Sequence, residues 1–329
     1  MDTKKIQHFI RNGSTNQTLA TPDLRVLEGW KWSTLLSYNA AVKKFEVFKR
    51  LTGDVYAFVT WAGRGVGDKG TTKINATSLK NYLFAIKAWH TFHDAPYPYQ
   101  TEKQVNLMLK VSGRHDATIP KRPEKAPVLI ADLADLFRLL LGRGPEAKAV
   151  RDLAVIAFWG MAQLAELTYT TDLGPVQRKR EMTRKEVYTF QEVTILTVHE
   201  AKTAKPGETQ AIKLQPMKSP LCPVDAVERR RGATTGDSNS LFGWDGPHGR
   251  INLTKRRVNT ILTAVWHNLN RPHLTGHSFR VGGATLRNAV GIDINEIKAL
   301  GRWTTDCYRR YIKPMSRKEV VKSLSILEM

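Results

Sequence analysis

Cysteine is scarce in this chain, because only Cys222 and Cys307 occur among its 329 residues. Two cysteines form at most one disulfide, and neither has a neighbour spaced for zinc binding or for thiol redox chemistry. Long apolar runs are also missing, since no stretch reaches the roughly 18 residues that a membrane-spanning helix needs. Residues 1–12 lack the apolar segment of a secretory signal. We therefore expect an intracellular protein with free thiols, and these absences exclude a disulfide-stapled scaffold and an integral membrane protein.

Acidic residues are few relative to basic ones, and this imbalance is the strongest global feature of the composition. The chain has 51 Lys and Arg residues against 30 Asp and Glu residues, a formal net charge of +21 at pH 7. Residues 1–117 hold 17 basic and 9 acidic residues, and the remainder holds 34 and 21, so both parts are basic. Positive charge also serves solubility or binding to anionic membrane, but no strongly amphipathic basic helix is present. The sequence therefore predicts a nucleic acid as the partner, and basic charge on both parts suits a clamp around a duplex.

Apolar residues recur at helical spacing through the first part of the chain, and no strand-like alternation interrupts them. The first 117 residues are therefore predicted to form a small all-α domain. Its predicted helices cover residues 33–53, 55–62, 76–93 and 101–111.

A proline-bearing stretch separates this part from the rest. Residues 118–127 carry three prolines with alternating charge, which is typical of an extended linker. Residues 128–329 are predicted to form a second domain, mainly α-helical with a small antiparallel β-sheet. The predicted strands are residues 187–190, 192–199 and 210–214, and the last predicted helices are residues 278–290, 294–300, 304–312 and 317–327.

Three short motifs follow one another near the carboxyl end. His277 and Arg280 form HSFR and share one helix face at a spacing of three residues. LGRW follows at residues 300–303, and RRYI, which contains Tyr311, stands just before the last predicted helix. Each motif alone is weak evidence, because such a histidine is commonly a cap or a buried hydrogen-bonding group and a helical tyrosine commonly packs in a core.

Together, the order and spacing of these motifs resemble the tyrosine recombinases, also called phage-type integrases. The resemblance spans nearly the whole chain, and HSFRVGGATL with LGRW and YRRYI looks most like the Crypton-type recombinases of eukaryotic mobile elements. It implies a SAM-like core-binding domain over residues 1–117. It also implies a catalytic domain over residues 128–329 that ends in an exchange helix.

The resemblance also implies a chemistry. In this family a tyrosine hydroxyl attacks a DNA phosphodiester and leaves a 3′-phosphotyrosyl link with a free 5′-hydroxyl, without ATP, metal or organic cofactor. By the family's motifs, Tyr311 is the nucleophile, Arg280 clamps the phosphate and His277 takes a supporting position beside them. A planar guanidinium suits the clamp, because the phosphate oxygens gain charge in the transition state. Lys202, between two predicted strands, matches the general acid, and Lys205 is the fallback.

Two of these assignments stay open. The stretch from Trp303 to Tyr311 is one residue short for the family, whereas that from Arg302 to Tyr311 has the usual length. Either Trp303 or Arg302 therefore fills the family's His/Trp position. Tyr308, one helical turn earlier, is the alternative nucleophile, although YI directly before the final helix favours Tyr311.

The family usually carries Gly-Leu-Arg-x-x-Glu-Leu upstream, and this chain departs from it in GMAQLAEL. Gln163 stands in place of the first phosphate-clamping arginine, and Glu166 stands in the acidic place. A glutamine donates a neutral hydrogen bond and brings no charge, so the loss is expected to cost about 10²–10³ in rate. An introduced substitution and natural decay into a binding protein both explain it. Arg151, on the preceding helix, does not replace the arginine convincingly.

Clusters of basic residues supply candidates for contacts with the DNA backbone, which fix register without reading sequence. Such clusters also resemble nuclear-import signals, so we expect a nuclear protein in a eukaryote and otherwise a cytoplasmic protein with DNA. The candidates are Arg178, Lys179, Arg180, Lys255, Arg256 and Arg257 in the second domain and Lys43, Lys44, Lys80 and Lys87 in the first.

The last predicted helix places Val320, Val321, Leu324 and Leu327 along one stripe. This stripe either packs on its own domain or docks into a neighbouring subunit, in a dimer to tetramer on DNA. The sequence thus predicts a site-specific recombinase or transposase that Gln163 impairs. The alternatives are a catalytically inactive DNA-binding protein of the same fold and an enzyme like a type IB topoisomerase.

Overall fold

The chain divides into two compact units, Met1–Pro123 and Glu124–Met329, so the division falls inside the predicted linker. The computed structural model describes residues 2–13, 15, 17–49, 54–65, 73–120, 124–177, 180–199, 201, 204–205 and 207–328. No helix among them is long and apolar enough to cross a membrane.

The first unit is built from helices around an aromatic core. Phe45, Phe48 and Phe58 meet at centroid separations of 5.2–6.4 Å, and Trp89 lies 6.5 Å from Phe45. Such separations are those of aromatic pairs in protein cores. The helices are α1 (Gln7–Ile10), α2 (Thr21–Glu28), α3 (Trp32–Lys49), α4 (Val55–Ala62), α5 (Ala76–Phe92) and α6 (Glu102–Thr118).

Side-chain hydrogen bonds, one set long-range and one local, explain two differences between these helices and the prediction. Helix α4 has its predicted bounds, but α6 continues seven residues beyond the predicted end at residue 111. Asp116 holds this extra length, because its carboxylate accepts hydrogen bonds from the amide of Ala76 and the guanidinium of Arg64. Helix α2 was not predicted, and Asp23 caps it by accepting from the amide of Ala20 at 2.8 Å.

The second unit is mainly helical with two small antiparallel sheets, and the predicted fold class is confirmed. Strands β1, β2 and β3 pair in sequence order, and β4 pairs with β5. The strands are β1 (Val187–Phe190), β2 (Val193–Val198), β3 (Gln210–Leu214), β4 (Gly243–Gly246) and β5 (Gly249–Asn252). The helices are α7 (Ile130–Leu139), α8 (Gly144–Trp159), α9 (Leu164–Leu167), α10 (Pro223–Gly232), α11 (Lys255–Asn268), α12 (Gly276–Ala289), α13 (Ile294–Leu300) and α14 (Arg317–Leu327).

The prediction of a helix over residues 304–312 was wrong, because the segment forms only a short 3-10 helix, Asp306–Arg310. Residues 304–307, 309 and 310 are exposed, so the segment buries little surface apart from Tyr308, Tyr311 and Ile312, which pack against the core. The β4–β5 hairpin was missed, since GWDGPHGRIN is dominated by turn residues and its strands are only four residues long. The predicted strand at 192–199 begins one residue later, because Gln191 and Glu192 form the turn at positive φ.

Helix α8 is the centre of the second unit, and α12 lies directly against it. Two consecutive glycines bring α12 close to its neighbours: a Cβ on Gly283 would stand 2.2 Å from the carbonyl oxygen of Phe158 in α8, and one on Gly282 would stand 2.1 Å from that of Val128, which precedes α7. Because α12 carries His277 and Arg280, this contact sets the position of the candidate site.

Replacing Gly282 by alanine tests this close approach. Backbone must move to accept the new methyl group, so we expect the free energy of unfolding to fall by about 1–3 kcal/mol and the thermal midpoint to fall with it. Gly232→Ala in α10, where a Cβ would meet nothing within 4 Å, is the matched control. Equal midpoints for the two variants would contradict the contact.

Candidate active site

Arg280 is a buried cation that joins three segments of the second unit. Its side chain extends from α12, and the residue is only 4% exposed. One terminal nitrogen donates to the carbonyl oxygen of Met161 at 2.9 Å, and the other donates to that of Gly301 at 2.5 Å. The turn after α8 and the turn after α13 are thereby held to α12.

The environment of Arg280 is both desolvated and cationic. Burial, followed by the charge of Arg302, lowers the pKa of its guanidinium, while Glu166 acts in the opposite sense. Arginine nevertheless keeps its proton in proteins. Within the part of the chain that the structure describes, the buried Nε of Arg280 has no hydrogen-bond partner.

Tyr311 lies between two rings beside this cation. Its ring centroid is 5.0 Å from that of His277 and 4.8 Å from that of Trp303. The guanidinium carbon of Arg280 is 5.3 Å from the centroid of the same tyrosine ring. The hydroxyl of Thr285, also on α12, donates to the carbonyl oxygen of Tyr311 at 3.2 Å and holds the backbone there. The structure thus brings together the three groups on which the predicted chemistry depends.

Tyr308, the alternative nucleophile, faces other groups. Its ring lies 5.4 Å from the ammonium of Lys298, and its side chain is hydrogen-bonded with that of Arg309. Of the two tyrosines, Tyr311 is therefore the one whose ring contacts both His277 and Arg280.

His277 occupies the first turn of α12. Burial lowers the pKa of its imidazole below the ordinary value, and the neighbouring charges of Arg280 and Lys125 lower it further. A lowered pKa keeps the ring neutral at pH 7, so one ring nitrogen is available to accept a proton or a hydrogen bond.

Trp303 and Arg302 take separate positions. The Trp303 ring stacks against Tyr311 and covers Gly301, where a Cβ would stand only 2.1 Å from the indole. Arg302 has a left-handed backbone, φ +57°, and donates to a carboxylate oxygen of Glu166 at 2.6 Å. Of the two residues left open by the sequence, Trp303 is the one that faces the tyrosine.

Glu166 organises the segment that carries Gln163. Oε2 of Glu166 accepts the backbone N–H of Gln163 at 2.9 Å, and the same oxygen accepts from Arg302. The side chains of Glu166 and Arg302 are 9% and 7% exposed, so this is a buried ion pair. It fixes where α9 begins, and therefore where Gln163 stands.

Gln163 lines a cleft of about 240 Å³ next to the first turn of α12. His277 and Gly276 form one side of it, and Lys255 and Asn259 of α11 form another. A cleft with a histidine and a lysine in its wall can accept an anion. Prediction from the sequence did not place Lys255 beside Gln163, and it missed Asn259. Lys255 and Asn259 are four residues apart, which puts both on one face of α11.

Several predicted residues lie elsewhere or cannot be placed. Lys202, Arg178 and Lys179 fall outside the described residues. Lys205 is exposed between β2 and β3, where its amide donates to Glu208 at 2.8 Å. Arg151 lies under the Phe137 ring at 4.3 Å, away from the cleft.

The predicted DNA-binding cations are surface residues with different surroundings. Lys43, Lys80, Arg180, Lys255 and Arg256 are exposed. Lys44 packs over Trp61 at 5.2 Å, and burial lowers its pKa. Lys87 lies 4.3 Å from the Tyr99 ring centroid, and Arg257 donates to Glu146 at 2.9 Å.

Helix α14 packs on its own unit, against α7. Ser323 is buried and Leu327 packs against the core, whereas Val321 is 60% exposed and Leu324 is 43% exposed. The predicted stripe is therefore divided between a packed side and an exposed side.

The structure describes no group of three or more His, Cys, Asp or Glu side chains, among the residues it covers, that is placed to hold a metal ion.

Comparison with known proteins identifies the fold. No family model and no curated protein matches the chain. The Tn1549 transposon integrase (residues 82–397), in complex with circular intermediate DNA, is similar with a TM-score of 0.57 and 13% identity, over 92% of this chain and 96% of that chain. The XerH site-specific recombinase, in a post-cleavage complex with palindromic difH substrate, is similar with a TM-score of 0.55 and 13% identity, over 100% of this chain and 90% of that chain. The chain has the tyrosine recombinase fold.

Replacing Glu166 by glutamine tests the buried ion pair. Arg302 would keep its charge without an anionic partner and retain only its hydrogen bond to the carbonyl oxygen of Gly160, so we expect a loss of about 3 kcal/mol in the free energy of unfolding. The control is Asp135→Asn, which removes the exposed pair with Arg138 and is expected to cost about 0–1 kcal/mol. Urea unfolding measures both, and a loss no larger than the control's would show that the pair does not hold α9.

The environment of His277 predicts its titration. By NMR, its ring is expected to titrate below the ordinary value of 6.5, because burial and two cations disfavour its charged form. Lys125→Met removes one of these cations and should raise the midpoint. Lys148→Met, at an exposed position on α8, serves as the control with the same change of charge. A midpoint that does not move in Lys125→Met would contradict the assigned cause.

Proposed function

We propose that this chain is a DNA strand-exchange enzyme in which the Tyr311 hydroxyl attacks a DNA phosphodiester. One observation carries the proposal: the Tyr311 ring lies in contact with His277 and beside the buried guanidinium of Arg280. The shared fold supports the same reaction class, because the similar structures are a transposon integrase and a site-specific recombinase.

In the proposed reaction a bond forms between the Tyr311 oxygen and phosphorus as the bond from phosphorus to the 5′-oxygen breaks. The product is a 3′-phosphotyrosyl link, and the reverse attack by a 5′-hydroxyl rejoins the strand without ATP. Neutral His277 accepts a hydrogen bond or the phenolic proton, which assists a group whose ordinary pKa is about 10. The terminal nitrogens of Arg280 are held by the carbonyl oxygens of Met161 and Gly301. Its contribution is therefore its positive charge and its Nε, which has no hydrogen-bond partner among the described residues, and both stabilise charge that develops on the phosphate oxygens.

The departing 5′-oxygen needs a proton. We assign this role to Lys202, with Lys205 as the alternative, because both belong to the connection between β2 and β3. A lysine on such a connection can approach the leaving group when DNA is bound.

Gln163 makes the proposed enzyme slow. The amide offers a neutral hydrogen bond where the family's pattern has a charged clamp, and the loss of one charged contact costs about 10²–10³ in rate. The same observation favours a second candidate function, a DNA-binding protein without catalysis.

The proposed partners are double-stranded DNA and further copies of this chain. Basic residues on both units supply the contacts with the DNA backbone. We assign to α14 the contact between subunits in a dimer to tetramer on DNA. The packing of α14 on its own unit favours an alternative, an enzyme like a type IB topoisomerase that relaxes DNA as a monomer. A Crypton-type transposon recombinase acting in the nucleus is the finer assignment that we propose.

Covalent capture tests this function. The chain and its Gln163→Arg variant are incubated with a pool of nicked suicide duplexes of randomised sequence, and adducts are resolved on a denaturing gel. We expect Gln163→Arg to form the adduct about 10²–10³ times faster, because a charged contact is restored.

Two controls accompany this assay. Tyr311→Phe in the Gln163→Arg background should abolish the adduct, and Tyr308→Phe should leave it. If neither the chain nor Gln163→Arg forms an adduct, the binding protein is favoured. Relaxation of supercoiled DNA without joining of two DNAs would instead favour the topoisomerase.

A further inference from the structure

The cleft at Gln163 offers little positive charge to a bound phosphate. Gln163, the amide of Asn259 and the neutral ring of His277 are uncharged, so Lys255 is the cation in the wall of this cleft among its described lining residues. Phosphoryl transfer needs positive charge at the phosphate oxygens, and neutral donors supply little of it.

The nearby arginines are already engaged. Arg302 is paired with Glu166, and Arg257 is paired with Glu146. Arg151 lies beneath Phe137 beside Asp152, with only 6% of its surface exposed. None of these three guanidinium groups belongs to the wall of the cleft.

The position of Lys255 is set by anchored backbone. It is the first residue of α11, and the hydroxyl of Thr254 caps this helix by accepting from the amide of Arg257 at 3.3 Å. Just before it, the amide of buried Leu253 donates to the carbonyl oxygen of Phe242 at 3.1 Å. The backbone at the start of α11 is therefore fixed, and the part of Lys255 that can move is its side chain.

The opposite walls of the cleft are held close together. A Cβ on Gly276 would stand 2.0 Å from a methyl carbon of Leu164 and 3.6 Å from Oδ1 of Asn259. Glycine at this position thus lets the first turns of α9, α11 and α12 meet. Gln163, Lys255 and His277 consequently line one cleft of about 240 Å³, which has room for a phosphate group.

Lys255 is also unengaged. It is exposed, and within the described ranges it forms no ion pair. An ammonium on a four-carbon stem offers three donors and can turn toward an anion, although it lacks the bidentate fork of arginine.

We propose that Lys255 supplies the positive charge against the phosphate oxygens that Gln163 does not provide, with the amides of Gln163 and Asn259 as neutral donors beside it. This inference rests on the proposed function, and it changes the effect that Gln163 is expected to have on DNA cleavage. The chain retains slow cleavage, and Lys255 and Gln163 act as a coupled pair. Restoring arginine at 163 makes Lys255 redundant.

The first experiment measures coupling in the suicide-substrate assay. Lys255→Met is expected to slow Tyr311-dependent adduct formation at least tenfold when residue 163 is glutamine, and less than threefold in the Gln163→Arg background. Lys148→Met, on the exposed face of α8, is the control for loss of one positive charge. The same loss from Lys255→Met in both backgrounds, or a loss no larger than that of Lys148→Met, overturns the proposal.

The second experiment does not depend on catalysis. Inorganic phosphate is titrated into the full chain while the NMR signals of Gly276, His277 and the Gln163 side-chain amide are followed. We expect these signals to move together, and Lys255→Met to weaken the apparent affinity at least fivefold, whereas Lys148→Met changes it less than twofold. Equal titrations of the chain and of Lys255→Met overturn the proposal. If phosphate binds through Lys255 but no variant forms an adduct, the anion site stands and the proposed strand exchange fails.

Discussion

The arrangement of the candidate active site depends on one buried guanidinium, that of Arg280. Arg280 bonds with two carbonyl oxygens, those of Met161 and Gly301, that belong to turns more than a hundred residues apart in sequence. A buried cation without such partners would be strongly destabilising, so the two turns and α12 are stable only together. Trp303 follows Gly301, and its ring forms one side of the space that holds Tyr311. The position of the tyrosine is therefore a consequence of how this cation is satisfied.

Glycine makes that arrangement sterically possible. Gly282 and Gly283 bring α12 against the backbone of Val128 and Phe158, Gly276 brings its start against Leu164, and Gly301 accepts the face of Trp303. Each of these positions leaves less than 2.3 Å between an added Cβ and its nearest neighbour. The close approach brings polar groups from the first turns of α11 and α12 to one cleft beside Gln163, and fixed positions of this kind are what catalytic groups require.

The distribution of charge around the candidate site is uneven. The cations on the side of Tyr311 are Arg280 and Arg302, and Arg302 is neutralised by Glu166. On the side of Gln163 the wall is neutral except for Lys255. A lysine tolerates solvent and moves freely, whereas a clamping arginine is rigid and planar. The two sides of the candidate site therefore differ in the mobility of their charged groups.

The sequence alone determined much of this protein. Helical periodicity predicted both the all-α first part and the helices α12, α13 and α14, because each buries an apolar face and repetition at 3.6 residues is visible in a single segment. The spacing of His277, Arg280 and Tyr311 singled out three residues that the structure brings together. Only the tertiary structure decided that Trp303 rather than Arg302 faces the tyrosine, since Arg302 has a left-handed backbone and its side chain is paired with Glu166, 136 residues away. It alone placed Lys255 beside Gln163, because those residues are 92 positions apart and meet only where α9, α11 and α12 pack. Periodicity records which face of a segment is buried, but it does not record which other segment covers that face.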